Sequence, residues 1–203
     1  VPGPILKQLR HLGGRVLIAY SLDALSDAGC EPIVVVVPSG SEEDFAPLSG
    51  WVGVRVVTGG VTRQQSVARG LEVVTTERVV VHDAVRPFVT AVDVRRAAAA
   101  LEQADGAVTA VPVDETLKRV EDGQIIETVD RSGLWRAQTP QAFRVDVLRA
   151  AHERAAAGSV AAGDDSVLVE RYGGKVVVVR GSRRNLKLTF PEDFALAEAM
   201  MRG

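Results

Sequence analysis

Three places in this chain set charged or hydrogen-bonding residues immediately against apolar ones. After Val79-Val80-Val81 comes His82-Asp83-Ala84-Val85-Arg86-Pro87. A carboxylate at the end of a buried strand can hold a divalent cation or a sugar hydroxyl, and the nearby arginine can clamp a phosphate. An Asp–Arg pair that merely fixes a loop is the plain alternative. His82 reads as structural, because one histidine with no second ligand nearby is poor metal chemistry. After Val56-Val57 comes Thr58-Gly59-Gly60-Val61-Thr62-Arg63-Gln64-Gln65-Ser66. Two glycines let the backbone approach a ligand, and the helix start beyond them offers free amides to an anion or a base edge. A tight strand-to-helix turn has the same sequence. Neither GxGxxG nor GxxxxGK[ST] occurs, so those phosphate-binding signatures are absent. The third place is Lys187, flanked by Leu186 and Leu188. Facing the core it needs an anion, and facing solvent it is an ordinary lysine. Lys7, in a loop framed by glycine and proline, is unremarkable taken alone.

The elements that must position these residues follow from periodicity. Apolar residues at helical spacing mark a helix over Arg15–Ala28, and Ile33–Val37, between two prolines, reads as a strand buried on both faces. The alternation repeats: strand Val54–Val57, a helix capped by Thr62 and running to about Val74, strand Arg78–Val81, helix Val92–Gln103, strand Gly106–Val111. This pattern predicts a mostly parallel sheet with helices on both faces. In such sheets ligands bind beyond the carboxyl ends of the strands, where the polar runs lie. From Asp114 to Gln138 the pattern changes to a two-stranded ribbon turning at Asp122-Gly123. An isolated ribbon is marginal, so it needs a packing partner, and a second subunit is the economical one. Helices over Val145–Ala157 and Asp164–Tyr172, strand Lys175–Val179, a short strand Asn185–Thr189 and a helix from Pro191 complete the reading.

With 203 residues and 46% apolar content, one domain spanning 1–203 is expected, with an arm at about 113–138. Balanced charge, 24 basic against 26 acidic residues, argues against a nucleic-acid partner. The single cysteine excludes an internal disulfide and a thiolate metal cluster, and fits a cytoplasmic setting. No run has the length of a membrane span, so no membrane partner is expected.

Taken together, the motifs resemble the 2-C-methyl-D-erythritol 4-phosphate cytidylyltransferase family of the non-mevalonate isoprenoid pathway. The carriers are Thr58-Gly59-Gly60 with Arg63 and Ser66, His82 to Pro87, Pro112 to Lys118, Val129 to Trp135, Gln138-Thr139-Pro140-Gln141, Asp164-Asp165-Ser166 and Asn185 to Thr189. The resemblance runs from about Lys7 to the C-terminus. It implies a Rossmann-like nucleotidyltransferase fold, transfer of CMP from CTP to methylerythritol phosphate, Mg²⁺ as cofactor, and a homodimer whose arms cross the interface. It also implies roles. Gly59, Gly60, Arg63, Ser66, Asp83, Ala84 and Lys187 would form the nucleotide site, with Asp83 also at the metal. Lys7 and Lys187 would neutralise phosphates. Asp83, Arg86, Thr139 and Lys187 would meet the second substrate, joined by Thr116 and Arg131 from the partner's arm.

One departure stands out. The family opens with a strand and a glycine-rich loop that wraps the triphosphate, and nothing before Lys7 matches either. Val1-Pro2-Gly3-Pro4 would be at most that loop's tail. Loss of such a strand from mid-sheet would expose two strand edges. The competing readings are a cytidylyltransferase acting on ribitol phosphate and a catalytically silent dimeric homologue. A nicotinamide oxidoreductase lacks its glycine fingerprint.

Overall fold

The computed structural model describes residues 6–202. Val1-Pro2-Gly3-Pro4, read above as the tail of a loop, lies outside them. The described chain opens with a short hairpin, β1 (His11–Leu12) against β2 (Arg15–Val16). Its turn is made by Gly13 and Gly14, both at positive φ, which costs glycine little. Then follow α1 (Leu17–Asp27), β3 (Ile33–Val37), α2 (Glu42–Phe45), β4 (Val54–Thr58), α3 (Arg63–Glu72), β5 (Arg78–Val81), α4 (Ala91–Ala99) and β6 (Gly106–Pro112). The ribbon is β7 (Leu117–Glu121) and β8 (Gln124–Val129). After it come β9 (Trp135–Arg144), α5 (Val145–Ala157), α6 (Asp165–Arg171), β10 (Val176–Arg180) and α7 (Pro191–Arg202).

The strand–helix alternation holds, but the sheet is mixed, which corrects the mostly parallel expectation. β3 and β4 pair in parallel. A second sheet runs β10-β6-β9-β5, in which only β10 and β6 are parallel and β9 is antiparallel to both neighbours. The reading from sequence carries no strand at β9, because Gln138-Thr139-Pro140-Gln141 lacks both alternation and apolar character. These residues are nevertheless buried. Their polarity is met internally: Gln141 Nε2 donates to Asp164 at 2.6 Å, Gln138 Nε2 to the Ser182 carbonyl at 3.0 Å, and Thr109 Oγ1 to the Pro140 carbonyl at 2.7 Å. A second correction concerns Asn185–Thr189, which forms no ladder strand. A bond from Leu188 N to the Val85 carbonyl, 2.8 Å, ties it beside the loop after β5.

Helices cover both faces of the larger sheet. Successive residues of a strand point oppositely, and β9 shows the result. Ala142 packs with Ala97 and Leu101 on the α4 side, while Phe143 packs with Leu71, Leu148 and Leu168 from α3, α5 and α6. The β3–β4 pair has its own core of Ile18, Leu22, Val35, Val37 and Phe45. Among the described residues, β3 and β5 each have one ladder partner. Both line a cleft of about 810 Å³, which is also lined by Gly60, Arg63, Ser66, Asp83 and Lys187. No helix among the described residues is long and apolar enough to cross a membrane.

Gly106 lies opposite Phe143, and a Cβ there would sit 2.8 Å from the Phe143 ring, which is fully buried. Gly106→Ala is therefore expected to lower the unfolding free energy by about 1–3 kcal/mol through overpacking, measured by urea denaturation. Unchanged stability would show that this layer yields freely.

Candidate active site

The glycine loop is built against its own helix. Thr62 caps α3 by accepting from Gln65 N at 3.1 Å, while Gln65 Oε1 accepts from Thr62 N at 3.2 Å and Val61 N at 2.9 Å. Ser66 Oγ accepts from Gly60 N at 3.2 Å and donates back to the Thr62 carbonyl at 2.9 Å. A Cβ on Gly59 would sit 2.7 Å from Ser66 Oγ, and one on Gly60 would sit 2.3 Å from Gln65 Cβ. Neither glycine has positive φ. Close approach of loop to helix is what requires them. The Ser66 hydroxyl, assigned above to the nucleotide, holds this loop in shape.

Asp83 follows β5 directly and meets three cations. Lys187 Nζ lies 2.9 Å from its carboxylate, Arg86 Nε 3.5 Å and Arg63 Nε 3.9 Å. Burial alone would push the Asp83 carboxyl up. The Lys187 hydrogen bond and charge, with Arg86 and Arg63, outweigh it and hold the group below the usual carboxylate range. Asp83 is thus ionised at neutral pH. Of the cations, Lys187 is 47% exposed and can reach a ligand by rotation. Arg86 is sunk, and its Nη1 donates to the Asn185 carbonyl at 2.9 Å. Arg86 therefore fastens the Lys187 segment beneath the site. Ala84 packs against the β3–β4 core.

A one-way relay of hydrogen bonds fixes the same loop. Asp83 N–H donates to Thr139 Oγ1 at 3.0 Å, and Thr139 Oγ1 lies 3.0 Å from His82 Nδ1. His82 Nε2 lies 3.3 Å from the Arg86 carbonyl, which can only accept, so Nε2 carries the proton and Nδ1 accepts from Thr139. The Thr139 hydroxyl, expected at the substrate, bonds within the fold to Asp83 and His82. Its carbonyl also accepts from Asn185 Nδ2 at 2.8 Å. His82 is structural, as read.

The remaining residues lie further out. Lys7 Nζ donates to the Thr189 carbonyl at 2.6 Å, two residues beyond Lys187. Thr116 and Arg131 are exposed at the base of the ribbon, where Arg131 donates to the Asp114 carbonyl. Arg183, absent from the sequence reading, pairs with the Asp114 carboxylate at 2.7 Å. Also absent there is any role for Asp165, whose buried carboxylate meets Arg63 Nη1 at 2.7 Å and His152 Nε2 at 3.0 Å. The signal is the doubled Asp164-Asp165 at a helix start, but which carboxylate turns inward is decided by packing. Among the described residues no three His, Cys, Asp or Glu side chains converge on one point. Asp83 is a single carboxylate, so a Mg²⁺ held there would need ligand phosphates to complete its oxygen shell.

The family model for 2-C-methyl-D-erythritol 4-phosphate cytidylyltransferase matches residues 4–203. A protein of that description from Bacillus velezensis is 43% identical over 199 residues, spanning 95% of this chain and 86% of the relative. One from Geobacter metallireducens is 44% identical over 209 residues, spanning 98% and 90%. A crystal structure of the same enzyme from Thermus thermophilus superposes with a TM-score of 0.88 at 37% identity, covering 97% of this chain and 94% of that one.

Burial drives the His82 pKa from the ordinary 6.5 down to about 4, against the opposing charge of Asp83 and the bond to the Arg86 carbonyl. The folded state thus keeps His82 neutral where the unfolded state binds a proton. Stability on this account is full above about pH 6.5 and falls toward about pH 4, by roughly 2–3 kcal/mol. Urea titrations across this range should show a shallower acid slope for His82→Gln than for the native chain. Parallel slopes would mean that His82 does not contribute.

Proposed function

The chain belongs to the 2-C-methyl-D-erythritol 4-phosphate cytidylyltransferase family, and on that premise we propose that it transfers CMP from CTP to 2-C-methyl-D-erythritol 4-phosphate, releasing pyrophosphate. The observation that carries the reading is the Asp83–Lys187 pair, 2.9 Å apart, at the end of β5 in the cleft it shares with the Gly59-Gly60 loop. A phosphate oxygen of the second substrate attacks the α-phosphorus of CTP. The bond from that phosphorus to the bridging oxygen of pyrophosphate breaks, and the electron pair leaves with pyrophosphate. The attacking oxygen is already ionised near neutral pH, so no strong base is required, and positioning and charge stabilisation carry the rate.

Each residue has a task on this reading. Lys187 leaves Asp83 for a phosphate oxygen, and Lys7 supplies a second positive charge near that segment. Gly59 and Gly60 bring backbone close to the cytidine portion, with Ser66 as their brace. Arg86 and Thr139 hold Asp83 in place. Mg²⁺ bound by Asp83 and the phosphates would supply charge neutralisation.

The arm favours a homodimer. Val120, Ile125 and Ile126 on the ribbon are each at least half exposed, which is costly on a two-stranded element unless another surface covers them. Thr116 and Arg131 would then serve the partner's site. The balanced charge gives nucleic acid no footing. The unpaired Cys30 suits a cytoplasmic setting.

With CTP, methylerythritol phosphate and Mg²⁺, pyrophosphate release is expected. Equal or faster turnover of ribitol phosphate would reassign the substrate. Lys187→Ala should lose about ten- to a hundredfold in rate with the fold intact, the loss of a charged hydrogen bond of roughly 1.5–3 kcal/mol. Strongly impaired Lys187→Ala and Arg131→Ala homodimers, once mixed and reassembled, should rise to about a quarter of native activity, because half the dimers are mixed and each of those has one intact site. No recovery despite verified subunit exchange would place both residues in one subunit's site.

A further inference from the structure

Arg63 is the first residue of α3, and the chain fixes its backbone twice over. The Thr62–Gln65 capping box sets the helix start. Gln64 then clamps that start to the segment before α6: its Nε2 donates to the Val160 carbonyl at 3.1 Å, and its Oε1 accepts from Ala162 N at 3.0 Å. The side chain is paired as well, by charge and proximity, although Asp165 Oδ2 accepts no hydrogen bond. Asp165, 1% exposed, lies 2.7 Å from Arg63 Nη1 through Oδ2 and 3.0 Å from His152 Nε2 through Oδ1. His152, 5% exposed on α5, stands behind the carboxylate. The guanidinium thus joins α3 to α6, with α5 behind the carboxylate.

Stability alone is a weak reason for this arrangement, since a buried ion pair is often no better than apolar packing. The geometry at the far end of Arg63 supplies another. The side chain is 36% exposed and borders the cleft, with Nε 3.9 Å from Asp83 Oδ1. That distance is too long for a hydrogen bond, so Nε is spared for an anion. Without Asp165, the neighbouring carboxylate that could draw Arg63 is Asp83. Closure onto it would consume the donors facing the site and crowd Lys187 off its partner.

We propose that Asp165, backed by His152, is a positioning residue that holds Arg63 away from Asp83 and directs its free N–H groups at the phosphates of the nucleotide. This rests on the cytidylyltransferase reading of the site. Asp165 itself touches no substrate and acts only through Arg63.

Asp165→Asn keeps the shape and can still accept from His152, but removes the charge that holds Arg63. It should lower kcat/KM for CTP about ten- to a hundredfold, with a thermal midpoint near that of the native chain. In the Arg63→Ala background the same change should cost less than about twofold, because the two residues act as a unit. Losses that multiply, or an Asp165→Asn enzyme as active as native, would overturn the proposal. A second readout needs no turnover. In the native protein, ¹⁵N spectra should resolve two separate Nη signals for Arg63, assigned with Arg63→Lys. A single averaged signal, from a freely rotating guanidinium, would also overturn it. A native chain that turns over no CTP but holds Arg63 rigid would instead count against the enzymatic reading.

Discussion

Burying the Asp83 carboxylate carries a desolvation cost that cations must offset, and the chain brings three to it from separate regions. Arg63 comes from the start of α3, Arg86 from the loop after β5, and Lys187 from the segment before α7. Satisfying this one group therefore requires that helix, loop and C-terminal segment meet at one point. The rest of the local structure follows from that demand. Arg86 reaches the Asn185 carbonyl, Asn185 reaches the Thr139 carbonyl, and the Thr139 hydroxyl returns to the amide of Asp83. The circuit crosses β9 and closes on itself. Three cations against the two carboxylates Asp83 and Asp165 leave a surplus of positive charge facing the cleft, which suits a phosphate-rich ligand.

The relay through His82 shows why polar burial can be orderly. Each group in it has one role: amide donates, hydroxyl passes on, imidazole donates to a carbonyl. A protonated His82 would turn Nδ1 from acceptor to donor and set two donors against each other, so neutrality and geometry support one another. The same economy recurs at Gln141 and Asp164, where an amide and a helix-capping carboxylate meet 2.6 Å apart inside the fold.

Much of this was legible in the sequence where local chemistry decides. Val79-Val80-Val81 ending in His82-Asp83 announced both the strand and the polar edge, and Thr62 announced the start of α3. β9 was not legible. Its residues Gln138 to Gln141 look like a loop, and become a central strand only because Asp164, Ser182 and Asn185 arrive from later in the chain to satisfy them. Asp165 was hidden for a similar reason, since its partners lie on α3 and α5. Lys187 could not be assigned by strand parity, because its segment belongs to no ladder. The bonds that the Thr139 and Ser66 hydroxyls make within the fold were not legible either, since they depend on distances across it.

The glycine loop follows β4 and the carboxylate follows β5, and one side chain spans the two. Arg63 starts the helix that leaves the loop, and its guanidinium lies 3.9 Å from Asp83 and 2.7 Å from Asp165. The loop and the carboxylate are therefore coupled by charge, and an anion that draws on Arg63 is felt at Asp83 without any movement of the backbone.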